Sequence, residues 1–167
     1  MPAAIVTQDL TKVYQGKVRA VDRLNLTVEE GDVYGFVGPN GAGKTTTIRM
    51  LATLLRPTSG RAYVFGHDVV EERQEVRRII GYVPDSFGVY DRIKVWEYLD
   101  FFASAYGLPK PTRRRAIEEA LELTDLTEKR DAYVESLSRG MQQRLLIAKT
   151  LLHDPKVFLM DEPLAGL

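Results

Sequence analysis

Gly38-Pro39-Asn40-Gly41-Ala42-Gly43-Lys44-Thr45 has the spacing Gly-x-x-x-x-Gly-Lys-Thr. It lies between the apolar run Val33-Tyr34-Gly35-Phe36-Val37 and a helix-like run from Thr45 to Leu55. A buried strand, a glycine loop and a helix in that order are the context a phosphate-binding loop requires. The glycines let the backbone bend without Cβ clashes, so successive N–H groups point inward as an anion nest. The helix that follows adds its positive N-terminal end. Lys44 can reach β- and γ-phosphates as a point charge, and the Thr45 hydroxyl can ligate Mg²⁺. Together with Thr46, these residues imply a nucleoside triphosphate as ligand.

Composition excludes several other classes. The chain has 167 residues, 44% hydrophobic and 28% charged, enough to bury a sizeable core in one domain. Lys plus Arg and Asp plus Glu each number 23, so bulk charge argues for no nucleic-acid partner. No apolar run approaches the ~20 residues of a membrane span. The opening Met1-Pro2-Ala3-Ala4-Ile5 lacks the basic and long apolar regions of a secretory leader, so a membrane role is expected to come through a partner. The absence of cysteine rules out disulfides and cysteine–zinc sites and fits a reducing compartment.

Outward from the loop, Ile5 to Val13 and Val18 to Val28 read as strands broken at Gln15-Gly16-Lys17. Arg56-Pro57-Thr58-Ser59-Gly60 is expected to stop the loop helix, with a strand from Arg61 to Phe65 after it. A charged helix over Glu71 to Arg78 precedes a buried strand, Ile79 to Val83. Helical texture then fills Val95 to Ala132. Trp96, Leu99, Phe102 and Tyr106 form one apolar face, and Thr112 is placed to cap a second helix holding Ile117, Leu121 and Leu123. Arg113-Arg114-Arg115 is opposed by Glu118, Glu119 and Glu122 and reads as a solvated face. A helix from Gly140 to Leu152, with Met141, Leu145, Ala148 and Leu152 on one side, leads to a buried strand, Val157 to Met160.

That strand ends in Asp161-Glu162. In an open parallel sheet ligands bind outside the carboxyl ends of strands, so Asp161 is expected to face the nucleotide. Asp161 can hold Mg²⁺ through water, and Glu162 can orient and deprotonate the attacking water, with Lys44 as the second catalytic residue.

With these motifs in order, the chain resembles the nucleotide-binding domain of ATP-binding cassette (ABC) proteins. Leu137-Ser138-Arg139-Gly140-Met141-Gln142-Gln143-Arg144 resembles the family's signature motif, usually Leu-Ser-Gly-Gly-Gln followed by a Gln-Arg step. Val157 to Glu162 resembles its Walker B strand and catalytic glutamate. Tyr14 stands about where the family places an aromatic that stacks on adenine, and Pro163-Leu164-Ala165-Gly166-Leu167 looks like the opening of the D-loop. The fold implied is α/β: a P-loop NTPase with a mostly parallel core sheet, an N-terminal antiparallel β subdomain and an inserted α-helical subdomain. It divides into a β subdomain with P-loop core over 1–84, a helical subdomain over 85–136, and the signature helix with Walker B strand over 137–167.

The resemblance also implies a mechanism and partners. The substrate is ATP with Mg²⁺. A helix start at Ser138 to Gly140 points N–H groups, a hydroxyl and a dipole outward, and in the family it touches the γ-phosphate held by the opposite subunit. A second nucleotide-binding subunit, in a homodimer or heterodimer, is therefore expected, with two ATPs between P-loop and signature. A polytopic membrane subunit is the other partner, docked on residues 86–98, and holds the protein at the cytoplasmic face of the membrane. Two departures stand out. Arg139 and Met141 replace the usual Gly and Gln, and Asp85 stands where the family has a Gln that ligates Mg²⁺, a role its carboxylate can also fill. Such variants look most like the subfamily serving bacterial export systems for drugs, lipids or polymers.

His67 and His153 do not match the family's switch histidine and read as structural. Because the family's core continues beyond Walker B, the resemblance implies a domain truncated there, with its C-terminal core strands missing. Val33–Val37 would then keep an open edge, and the fragment alone would be poorly stable and weakly hydrolytic. The alternatives are a non-transport ABC ATPase of ribosomes or DNA, whose usual coiled-coil insertion or tandem cassette the sequence lacks, and a non-hydrolytic nucleotide-binding fragment.

Overall fold

The computed structural model describes residues 2–88 and 90–163, which form two compact units, 1–80 and 81–167. The first unit is built on a hairpin. Strands β1 (Ala3–Tyr14) and β2 (Val18–Glu29) pair antiparallel and turn at Gln15 and Gly16, both with left-handed backbone. β3 (Ser59–Val64) pairs with the other edge of β1 and with the short β4 (His67–Asp68), giving the order β2-β1-β3-β4. The ladder slips where Asp9 and Arg23 adopt positive φ, and two buried threonines bridge these slips. Thr7 Oγ1 donates to the Leu24 carbonyl and accepts from Leu26 N–H; Thr11 Oγ1 donates to the Asp9 carbonyl and accepts from Arg23 N–H. At Gly60 a Cβ would collide with the Asp9 carbonyl oxygen, so only glycine brings β3 this close to β1.

Helices α1 (Lys44–Leu51) and α2 (Arg73–Ile79) complete the first unit, with Leu10, Met50, Leu51, Val64 and Val76 fully buried. α1 stops earlier than the sequence suggests, because Thr53 turns left-handed two residues after Leu51. Val33–Val37 also differs from expectation: it forms no strand. Val33 and Val37 are 102% and 98% exposed, and the edge-to-face pair Tyr34–Phe36 gives the segment local packing. A strand exists by virtue of its partners, and no described strand pairs with this run.

The second unit begins within β5 (Ile80–Val83), which pairs with β6 (Val157–Met160). Of β6 only Leu159 is fully buried. Between them stand α3 (Val95–Ala105), α4 (Lys110–Leu123) and α5 (Arg139–Leu151) around a core of Tyr98, Leu99, Leu121, Leu145 and Ala148. The apolar face of α3 is turned from the expected one: Val95, Tyr98, Leu99 and Ala103 are buried, with Phe102 packed beside them. α4 starts earlier than Thr112. Pro109 is its N-cap and Pro111 lies in the first turn, where a missing N–H breaks no helical bond. Thr112 therefore caps nothing; its hydroxyl donates to the Pro109 carbonyl. Arg114–Glu118 and Arg115–Glu119 pair on the exposed side of α4, the solvated face the charges suggest. Between α3 and α5 the Lys149 ammonium lies 4.7 Å from the Phe102 ring centre, and burial holds its pKa below the ordinary lysine range.

Two leucines two residues apart on α4 test this packing, since Leu121 is buried and Leu123 is 74% exposed. In urea unfolding, Leu121→Ala should cost about 2–5 kcal/mol. Leu123→Ala should stay within about 0.5 kcal/mol of the parent. Equal losses would refute the assigned face.

Candidate functional site

The glycine loop forms as its spacing requires. Gly41 and Gly43 have φ of 82° and 90°, values at which a side chain would be strained. A Cβ at Gly43 would also collide with the Ala20 carbonyl oxygen and lie 3.1 Å from Val21 Cγ2, so β2 backs the loop at the point where α1 begins. Gly43 is the N-cap of α1 and gives it no side-chain cap. The loop is closed by Ala42 N–H donating to the Pro39 carbonyl and by Lys44, whose Nζ donates to the carbonyls of Gly38 and Pro39. Gly38, Pro39, Asn40, Gly41 and Ala42 are exposed, while Lys44, Thr45 and Thr46 are half-buried. A nest with left-handed glycines, an ammonium and two hydroxyls fits a polyphosphate chemically.

Tyr14 lies at the end of β1, 39% exposed. Its hydroxyl is 3.5 Å from Thr46 Oγ1, and Lys12 Nζ is 5.4 Å from its ring centre. The fold thus brings an accessible aromatic ring to the loop helix, 32 residues away in sequence.

In the second unit, Asp161 follows β6 and is 1% exposed; its N–H donates to the Val83 carbonyl at 3.0 Å. That bond sets Asp161 beside the chain two residues before Asp85, which is exposed. Glu162 is exposed and held at φ 46°, a left-handed conformation uncommon for a side chain of its size. Carboxylate oxygens such as those of Asp161 and Asp85, both in this unit, are of the kind that suits Mg²⁺. Among the described residues no cluster of three or more acidic, histidine or cysteine side chains could hold a metal by itself. Such a donor set fits a cation that arrives with phosphates, as Mg²⁺ commonly does.

Ser138 caps α5, its Oγ accepting from Met141 N–H at 3.3 Å. Arg139 occupies the first turn and is exposed, with Gly140 half-buried beside it. His67 bonds Glu72 through Nδ1 at 3.0 Å, and the His153 ring stacks on Tyr106 at 4.2 Å, which agrees with structural roles for both. Of the expected D-loop opening, Leu164 to Leu167 lie outside the described residues, as does Val89 in the expected docking segment. The Ala20 contact behind Gly43 and the closure of Lys44 onto its own loop are not legible in the sequence, because the motif's spacing says nothing of which atoms its residues touch.

A family model described as ABC transporter matches residues 21–165. The bacitracin transport ATP-binding protein BcrA of Bacillus licheniformis is 44% identical over 167 residues, which are 100% of this chain and 53% of that protein. The daunorubicin/doxorubicin resistance ATP-binding protein DrrA of Streptomyces peucetius is 47% identical, over 98% of this chain and 49% of that protein. The chain thus spans about half the length of these relatives. A bacterial ABC transporter cassette solved as a dimer has the same fold, with a TM-score of 0.86 and 27% identity over 98% of this chain and 75% of that one. From Val21 in β2 to the residues past Glu162 the match is continuous, and the chain belongs to the ABC transporter family.

Proposed function

We propose that this chain is the ATP-binding and ATP-hydrolysing part of an ABC transporter subunit. The observation that carries the reading is the loop at Gly38–Thr45. Gly41 and Gly43 are left-handed, and at Gly43 the Ala20 carbonyl leaves no room for a Cβ, so the loop backbone and the start of α1 carry no side chain there. In this reading Lys44 leaves the Gly38 and Pro39 carbonyls for the β- and γ-phosphates, the amides of Gly41, Gly43, Lys44 and Thr45 bond the same anion, and Tyr14 stacks on the base. When bound, Mg²⁺ would neutralise charge that builds up between the phosphates. Thr45, Asp161 and Asp85 are the residues that would hold it. Glu162 accepts a proton from the attacking water and orients it.

Ser138 and Gly140 touch the γ-phosphate held by a second nucleotide-binding subunit; the relative solved as a dimer supports this part of the reading. Ser138 keeps its capping bond in doing so, since a hydroxyl that accepts from Met141 N–H still has its own proton to donate. No helix among the described residues is long and apolar enough to cross a membrane. The family match and a similar solved protein described as part of an ABC transporter complex support a membrane-spanning partner, docked on residues 86–98 at the cytoplasmic face. The Ser-Arg-Gly-Met signature and the two drug-linked relatives support an export-type system.

Three variants separate binding from turnover. Lys44→Ala should weaken ATP binding by about 1.5–3 kcal/mol, the worth of a charged hydrogen bond, as read by nucleotide titration. Gly43→Ala should abolish binding while leaving the β-sheet signal in circular dichroism intact. In the full-length protein, Glu162→Gln should retain ATP yet lower turnover on the order of 10²-fold or more. Unchanged turnover would make the chain a binding module and not a hydrolase.

A further inference from the structure

The start of α5 is tied to a second helix through one side chain. Arg144 follows Ser138 by six residues, about 9 Å along a helix axis. Its Nη1 donates to the Thr124 carbonyl at 3.3 Å, to the Asp125 carbonyl at 3.1 Å and to Asp125 Oδ2 at 3.0 Å. These acceptors lie where α4 ends: Thr124 is its C-cap, and Asp125 turns left-handed with φ 55°. The last carbonyls of a helix have no intrahelical donor and carry the negative end of its dipole, so a guanidinium is their fitting partner. Thr124 Oγ1 helps to shape this end, donating to the Ala120 carbonyl at 2.8 Å. Next to Arg144, Leu145 and Ala148 are fully buried in the helical core. α5 is therefore gripped by apolar packing and by a polar tether, and the residues N-terminal to that tether are Ser138 to Gln143.

We propose that Arg144 is a positioning residue for ATP hydrolysis: by clamping α5 to the C-terminal end of α4, it fixes where Ser138 and Gly140 are presented to phosphate. This rests on the reading of Ser138–Gly140 as a phosphate-contacting segment. Two of the three acceptors are main-chain carbonyls, so the clamp depends on Arg144 far more than on Asp125.

The test compares Arg144→Met, Arg144→Lys, Asp125→Ala and Ser138→Ala in the full-length protein, by steady-state ATP turnover and amide hydrogen exchange along α5. Arg144→Met should lower kcat on the order of tenfold or more, the scale of a small misplacement at a reacting group. Its KM for ATP should stay within about twofold, as for an interaction made only in the transition state. Exchange should rise at residues 139–142 and not at 148–151. Arg144→Lys should recover part of both signals, and Asp125→Ala should lose less than Arg144→Met. If Arg144→Met does not fold, Arg144→Lys against Asp125→Ala gives the same ordering. Unchanged kcat with a lowered melting temperature, or exchange rising evenly along α5, would overturn the proposal. Full turnover in Ser138→Ala would instead remove the phosphate-contact reading, while the exchange pattern still decides whether Arg144 holds the first turn.

Discussion

The first four N–H groups of a helix have no partner inside it, and the two segments of interest here are both helix starts. α1 begins at Gly43 with no side chain to cap it, whereas α5 begins at Ser138 with its hydroxyl on Met141 N–H. The difference follows from the residues. Glycine at the start of α1 is forced by the Ala20 carbonyl behind it, which excludes any Cβ and with it any capping hydroxyl. The donors of α1 are thus left for a ligand by the same contact that packs the loop on β2. At α5 the cap is a serine, whose hydroxyl satisfies one of that helix's first donors.

The two units reach stability by different routes. Residues 1–80 depend on a long antiparallel ladder, with threonine hydroxyls replacing the bonds lost at its register slips. Residues 81–167 depend on interlocking helix faces, where Tyr98, Leu99, Leu121 and Leu145 contribute buried area. Ladder bonds between distant residues cost loop closure before they form, whereas contacts within and between neighbouring helices are local. The second unit carries the start of α5 on this helical frame, and Asp161 and Glu162 at the end of β6.

Much of this was readable from residue order, and the failures share a cause. The loop, the hairpin at Gln15–Lys17, α5 and the acidic strand end follow from motif spacing and periodicity, which are properties of one segment at a time. Val33–Val37 has the composition of a buried strand yet forms none, because pairing is a property of two segments. Leu123 fits a helical repeat but faces outward, since α4 turns its Ile117–Ala120–Leu121 side to the core. Thr112 resembles a cap, but a proline pair two residues wide already starts the helix. Gly43 against Ala20 and Arg144 against Thr124 join residues about 20 positions apart, and the motifs that hold Gly43 and Arg144 do not name their partners.

The closure of Lys44 onto Gly38 and Pro39 has a consequence for selectivity. An ammonium shared between two carbonyl dipoles is a latch, and it opens only for a group that holds the ammonium more strongly than they do. A neutral nucleoside offers nothing of that kind; a multiply charged phosphate chain does, because ionic hydrogen bonds are about twice as strong as neutral ones. Under the proposed nucleotide reading, the loop would sort ligands first by density of negative charge, before any aromatic ring is in play.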